Sequence, residues 1–214
     1  MSQEVIDLIR IGHLVFFALG MGAGLYFDLR SLRRINTPFT NNDLAEFTRV
    51  HHIVFGALLG LWVTGFMLLY IRTGFDLNAF TPKLQLKLII VSALSLNAAV
   101  IGTFVLPRVG RAVGKAALDL PLREVLPMTM SASASLFCWL SGLVLGASVT
   151  FKTAGWATLG SFFAAEFVVI VFGASGGFLI LHAVMRRRGS LSKPMALTPE
   201  GQLTQEGSRQ RSAR

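Results

Sequence analysis

The sequence predicts an all-α polytopic membrane protein of five transmembrane helices, built as one lead helix followed by two hairpins of like orientation. Three observations carry that expectation. Hydrophobic residues make up 53% of the 214 positions and charged residues only 14%, too little polar surface to cover a soluble globule of this size. Uncharged runs recur at Ile11–Phe27, Ile53–Ile71, Leu88–Leu106, Val125–Phe151 and Phe167–Met185, and a helix needs about 20 mostly apolar residues to cross roughly 30 Å of hydrocarbon. The basic residues collect between these runs, mostly on one side. Helices are required because backbone amides in lipid have no water to bond, and the runs lack the alternation of barrel strands.

Within "LIRIGHLVFFALGMGAGLYF" (8–27) one imidazole, His13, stands among apolar residues. Basic residues follow this run, where a signal peptide would carry them before it, and no small-residue cleavage pattern is present. The run is therefore expected to remain as the first helix. Loop 28–50 holds Arg30, Arg33, Arg34 and Arg49; loop 107–124 holds Arg108, Arg111, Lys115 and Arg123; seven more basic residues follow position 185. Only Arg10, Arg72, Lys83, Lys87 and Lys152 fall on the other side. By the positive-inside rule the N-terminus is outside and the C-terminus cytoplasmic. The formal charge of +9 then reports orientation and attraction to anionic lipid, not nucleic-acid binding. A transmembrane domain is expected over 1–188 and a disordered cytoplasmic tail, rich in Ser, Gly, Pro and Gln, over 189–214.

Helices two and four carry "LWVTGFMLLY" (61–70) and "CWLSGLVLGA" (138–147), aligning Trp62 with Trp139, Thr64 with Ser141 and Gly65 with Gly142. A two-residue shift then sets Lys87 opposite Glu166, the pattern of a parallel repeat. The pairs Gly20/Gly24, Gly56/Gly60 and Gly173/Gly177 have the spacing of close helix packing.

An ionisable side chain inside a span is costly and needs a partner or a purpose. By depth, these groups sort into an outer set of His13, Lys87 and Glu166, with Arg10 one turn above His13, and an inner set of His51, His52 and His182. His52 and His182 are candidates for two axial haem ligands, whereas His51, beside Arg49, reads as an interfacial residue. Lys87 and Glu166 read either as an interhelical pair or as charges snorkelling to the headgroups. Asn97, mid-membrane, should bond across to a neighbouring helix. The single cysteine, Cys138, excludes an internal disulfide and any cysteine-based metal cluster, and motifs for covalent haem, zinc proteases, P-loops and serine hydrolases are absent.

Taken together, a helix-one histidine followed by small residues and "GLYFDLR", then "TGFMLLY", then "LQLKLIIVSAL" with a lysine at the lip of helix three, resembles the bacterial membrane-embedded protoporphyrinogen oxidase family and the related copper-resistance D membrane domain. The resemblance covers about residues 9–107. It implies a multi-pass protein of the bacterial cytoplasmic membrane, haem b as cofactor, and functional roles for His13 and Lys87. The chain departs from that pattern in "RSLRRIN", where an aromatic-plus-histidine element is expected, and in its added hairpin and tail. Three functions follow as expectations. The first is a haem-associated redox protein with His13 as axial ligand and Lys87 and Glu166 binding a propionate or moving protons. The second is a copper-handling protein with His13 as a metal ligand, a class to which methionine thioethers would suit Cu(I). The third is an assembly subunit docking onto a second copy or a larger membrane complex.

Overall fold

In the computed structural model, which describes residues 2–191 and side chains as far as Val184, five long helices cross back and forth in a bundle. They are α1 (Gln3–Arg33), α2 (Asn41–Thr73), α3 (Pro82–Arg111), α4 (Leu122–Ala147) and α5, which begins at Trp156 and runs to Leu191. All five are long and apolar enough to span a membrane. Most of the tail expected to be disordered lies outside the described residues, although its first three positions, 189–191, belong to α5.

The helices outrun the apolar stretches. α1 has 31 residues and α2 has 33, or about 45–50 Å of rise, so their polar ends project beyond a hydrocarbon core of roughly 30 Å. The loop expected over 28–50 is thereby reduced to a few residues, because α1 continues to Arg33 and α2 starts at Asn41. The local chemistry explains the early start. Thr40 caps α2 by accepting from the Asp43 amide, while the Asp43 carboxylate accepts from the Thr40 amide at 2.9 Å, a reciprocal box that satisfies two end groups at once. Gly74 ends the helix at φ 58°, a left-handed conformation that glycine adopts without steric cost. Thr81 and Pro82 open α3 in the same spirit.

Two spans contain a widened π turn, at Ile101–Val105 in α3 and Val168–Phe172 in α5. The first lies just ahead of Pro107, which has no N–H to return to the carbonyl four residues before it. Such turns re-aim the side chains around them and recur at functional positions.

The bundle packs around Trp139, 2% exposed, with Leu145 and Leu159 at 0%. Small residues set the approach. A Cβ at Gly20 would fall 2.5 Å from Trp139 Cη2 and 3.1 Å from the Ala57 Cβ, so α1 meets both α2 and α4 there. A Cβ at Gly60 would fall 2.5 Å from the Phe16 ring. Gly56 has nothing within 4 Å, so its spacing with Gly60 makes no shared groove. Large apolar side chains such as Leu8, Leu96, Val169 and Ile180 cover the outside, as lipid contact requires.

At the side where α1 ends, the two connecting loops are pinned together. Phe39 and the 113–116 segment exchange backbone bonds, Phe39 N–H donating to Lys115 O at 3.0 Å and Gly114 N–H to Phe39 O at 2.8 Å. A small second core of Ala112, Leu120 and Val125 lies beneath them. At the opposite side Lys83 Nζ donates to Ser148 O at 2.6 Å, tying the start of α3 to the end of α4.

Candidate functional site

Two places in the bundle hold ionisable side chains at membrane depth, one near each side. In the first, His13 Nδ1 lies 2.8 Å from Thr64 Oγ1, and Thr64 Oγ1 lies 2.6 Å from the Gly60 carbonyl. Two oxygens approach that closely only with a hydrogen between them, and the threonine has one to give. Its hydroxyl therefore donates to Gly60 O and accepts from His13 Nδ1–H. The imidazole is held in the Nδ1–H tautomer and its Nε2 keeps a bare lone pair. Gly65 lies on one flank, where a Cβ would approach His13 Cε1 to 3.5 Å. The first helix thus turns its histidine toward α2, and the ring is half-buried.

Lys87 is exposed on α3. Glu166 takes a different partner: Ser141 Oγ, fully buried on α4, donates to Glu166 Oε2 at 2.9 Å. The Lys87–Glu166 pair is not formed among the described residues. The proposed repeat is visible in one respect, since the aligned hydroxyls of Thr64 and Ser141 each hold an ionisable side chain from a neighbouring helix. It breaks in another, since Trp62 Nε1 donates to Ser95 Oγ at 2.9 Å whereas Trp139 Nε1 is buried without a partner.

The inner histidines separate. His182 is 4% exposed and its Nε2 lies 3.1 Å from Leu120 O. A carbonyl only accepts, so this nitrogen carries the hydrogen and the ring ties α5 to the 112–121 loop. His52 is exposed, and no hydrogen bond or ring pairing joins it to His182 among the described residues. His51 turns inward. α2 begins at Asn41, so His51 lies about 15 Å along the helix, far enough in to line a cavity.

That cavity, about 300 Å³, opens between all five helices toward the side where α1 ends, and its walls are mostly apolar. Asp28 and His51 face it from α1 and α2, and Asn97 and Ser133 from α3 and α4. Asn97 Nδ2 donates to Ser131 O at 2.9 Å and Ser133 Oγ lies 3.2 Å from Ser175 Oγ, so these polar groups are satisfied within the protein. Asp28 and His51 have no hydrogen-bond or ion-pair partner among the described residues. The arginines nearest the mouth are already engaged. Arg30 pairs with Glu46 at 2.8 Å and Asp43 at 3.5 Å, and Arg34 pairs with Asp43. His51 Nε2 would lie 2.8 Å from a Cβ at Gly102, so the ring rests against the π turn of α3.

Asp28 is the residue that sequence reasoning missed. In "GLYFDLR" it follows the apolar run directly and looks like an ordinary flanking charge. Its distinction is structural, since neither Arg30 nor Arg34 pairs with it. Among the described residues no three His, Cys, Asp or Glu side chains converge as a metal site would need. Comparison of the chain with protein-family models, with curated proteins and with solved structures found no match.

Proposed function

We propose that this integral membrane protein belongs to the redox class and carries haem b through His13, with the N-terminus outside, the basic side of the bundle cytoplasmic, and the chain resident in the bacterial cytoplasmic membrane. The observation that carries the reading is the locked tautomer. The bond to Thr64 consumes the Nδ1 hydrogen and leaves Nε2 able to ligate, the arrangement in which an outer partner fixes a ligating imidazole. The resemblance of residues 9–107 to the protoporphyrinogen oxidase and copper-resistance D families points to the same histidine.

The number of ligands favours haem over a bare ion. A metal ion held by protein alone needs three or four converging donors, and no three His, Cys, Asp or Glu side chains converge among the described residues. A porphyrin brings four nitrogens of its own, so a single ligand-competent imidazole suffices to hold it. When bound, the iron would supply a one-electron couple. In this reading Thr64 orients the imidazole and raises its basicity, Lys87 supplies a cation for a carboxylate substituent, and Glu166, held by Ser141, is a carboxylate placed to take or return a proton at Oε2.

The test is an absorption spectrum of the detergent-purified protein expressed with ample haem. The wild type should show a Soret band, His13→Ala should weaken it strongly, and Thr64→Val, which keeps the side-chain shape but removes the acceptor, should loosen haem by about 10–100-fold. A colourless wild type refutes the reading.

A further inference from the structure

The cavity between the helices lies away from His13 and plays no part in the haem reading. Its chemistry is specific in three ways. The ionisable groups lining it include three carboxylates, Asp28, Asp43 and Glu46, and two guanidiniums, Arg30 and Arg34. Because the arginines pair with Asp43 and Glu46, Asp28 is the lining carboxyl left without a basic partner, and the imidazole of His51, also unpaired among the described residues, lines the same space. An uncompensated carboxylate among apolar walls is costly unless something positive joins it. Next to Asp28 in sequence, Phe27 stacks on Phe47 with ring centroids 4.5 Å apart and planes at 12°, and both rings line the cavity. A carboxyl group and aromatic rings lining one cavity are the combination that recognises an ammonium group, by ion pairing and by cation–π attraction. The remaining walls are aliphatic and aromatic, and a volume of about 300 Å³ lies within the range of small-molecule sites.

We propose that this cavity binds a protonated amine carried on an apolar body, with Asp28 as the counter-ion, the Phe27–Phe47 pair against the ammonium, and the apolar walls around the rest. The arginine pairs at the mouth have a role in this arrangement. By neutralising Asp43 and Glu46 they keep the unpaired charge at Asp28, so the cation is drawn past the mouth into the bundle. The same chemistry is offered by a free amphiphilic amine and by the headgroup of an aminolipid entering from the bilayer.

The full chain in dodecyl maltoside micelles can be titrated with two fluorescent probes, the organic cation ethidium and the neutral N-phenyl-1-naphthylamine. Both should bind the wild type. Asp28→Asn, which keeps shape and removes charge, should weaken ethidium by roughly tenfold or more and leave the neutral probe within about twofold, which also shows that the variant is folded. Ala132→Phe, which fills the cavity from α4, should remove both. Displacement of ethidium by added phosphatidylethanolamine would identify a membrane lipid as the source of the amine, and displacement by octylamine alone would identify a free amine. Unchanged ethidium affinity in Asp28→Asn, or an equal loss of both probes, overturns the proposal.

Discussion

Helix packing around Trp139 makes a sharp quantitative prediction at Gly20. Replacing Gly20 with Ala adds one methyl, and its carbon would sit 2.5 Å from Trp139 Cη2, 2.9 Å from Cζ2 and 3.1 Å from the Ala57 Cβ. The indole cannot step aside cheaply, because it is a rigid ring 2% exposed and packed edge-on against Phe17 at 5.4 Å. Overpacking a filled core typically costs about 1–3 kcal/mol. The substitution also gains helix propensity, about 1 kcal/mol for Gly to Ala, so the bare change in stability mixes two effects. Gly22, two residues on in the same helix, separates them: a Cβ there has nothing within 4 Å, so Gly22→Ala receives the propensity gain alone. The difference between the two variants is then the clash, about 1–3 kcal/mol. It would be read as the difference in unfolding free energy in mixed micelles titrated with SDS, or as a Tm difference. A double variant checks the cause. Trp139→Phe removes Cζ2 and Cη2, so Gly20→Ala should be less damaging in that background, with a coupling of about 0.5–3 kcal/mol. If Gly20→Ala is as stable as Gly22→Ala, or if the coupling is absent, the packing account is wrong.

Other predictions follow from single contacts. His182→Phe keeps an aromatic ring beside Phe178 but removes the bond to Leu120 O, and should cost about 1–3 kcal/mol with faster proteolysis of the 112–121 loop. Thr40→Ala breaks the capping box of α2 and should cost about 1 kcal/mol, visible as a lower Tm. Asn97→Leu removes the mid-membrane bond to Ser131 O; interhelical bonds of this type average about 0.6 kcal/mol, so a loss well above 2 kcal/mol would mean that Asn97 does more than join α3 to α4.

The spans were legible because hydropathy is additive along the chain, and no tertiary contact is needed to keep 20 apolar residues out of water. Their ends were less so. Thr40 and Asp43 stand in a reciprocal cap, but a local cap signal is outweighed in a hydropathy reading by the charges around it, so α2 was expected to open near His51 and not at Asn41. That misplacement hid the cavity. A histidine at the mouth of a helix is a headgroup residue, while the same histidine about 15 Å along it faces the interior. Asp28 was hidden for a related reason, since whether a carboxylate has a partner depends on where Arg30 and Arg34 reach, and they reach across to α2. The ligating potential of His13 was legible as an oddity of composition. Its tautomer was not, because that depends on Thr64, 51 residues away, and on the further bond from Thr64 to Gly60.

The aligned hydroxyls allow one more test, in which likeness of sequence and likeness of role come apart. Thr64 and Ser141 occupy matching places in the two similar stretches, yet Thr64 accepts from an imidazole while Ser141 donates to a carboxylate. Among the described residues Ser141 has no other side-chain bond, so its hydroxyl hydrogen is free for Glu166, whereas the Thr64 hydrogen is spent on Gly60 O at 2.6 Å. Toward its ionisable partner Ser141 donates and Thr64 accepts, and the two roles respond differently to exchange. Ser141→Thr keeps a donor, but its added methyl must fit a position that is 0% exposed, so it should destabilise by about 1–3 kcal/mol. Ser141→Ala leaves Glu166 without its partner and should cost about 1–3 kcal/mol, and Glu166→Gln should recover part of that loss in the Ser141→Ala background by removing the charge. Thr64→Ser keeps both the acceptor and the bond to Gly60, so it should be nearly neutral in stability and should retain whatever depends on the His13 tautomer. If Glu166→Gln fails to relieve Ser141→Ala, the carboxylate is held by something other than Ser141, and its assignment as a proton-exchanging group on α5 falls with it.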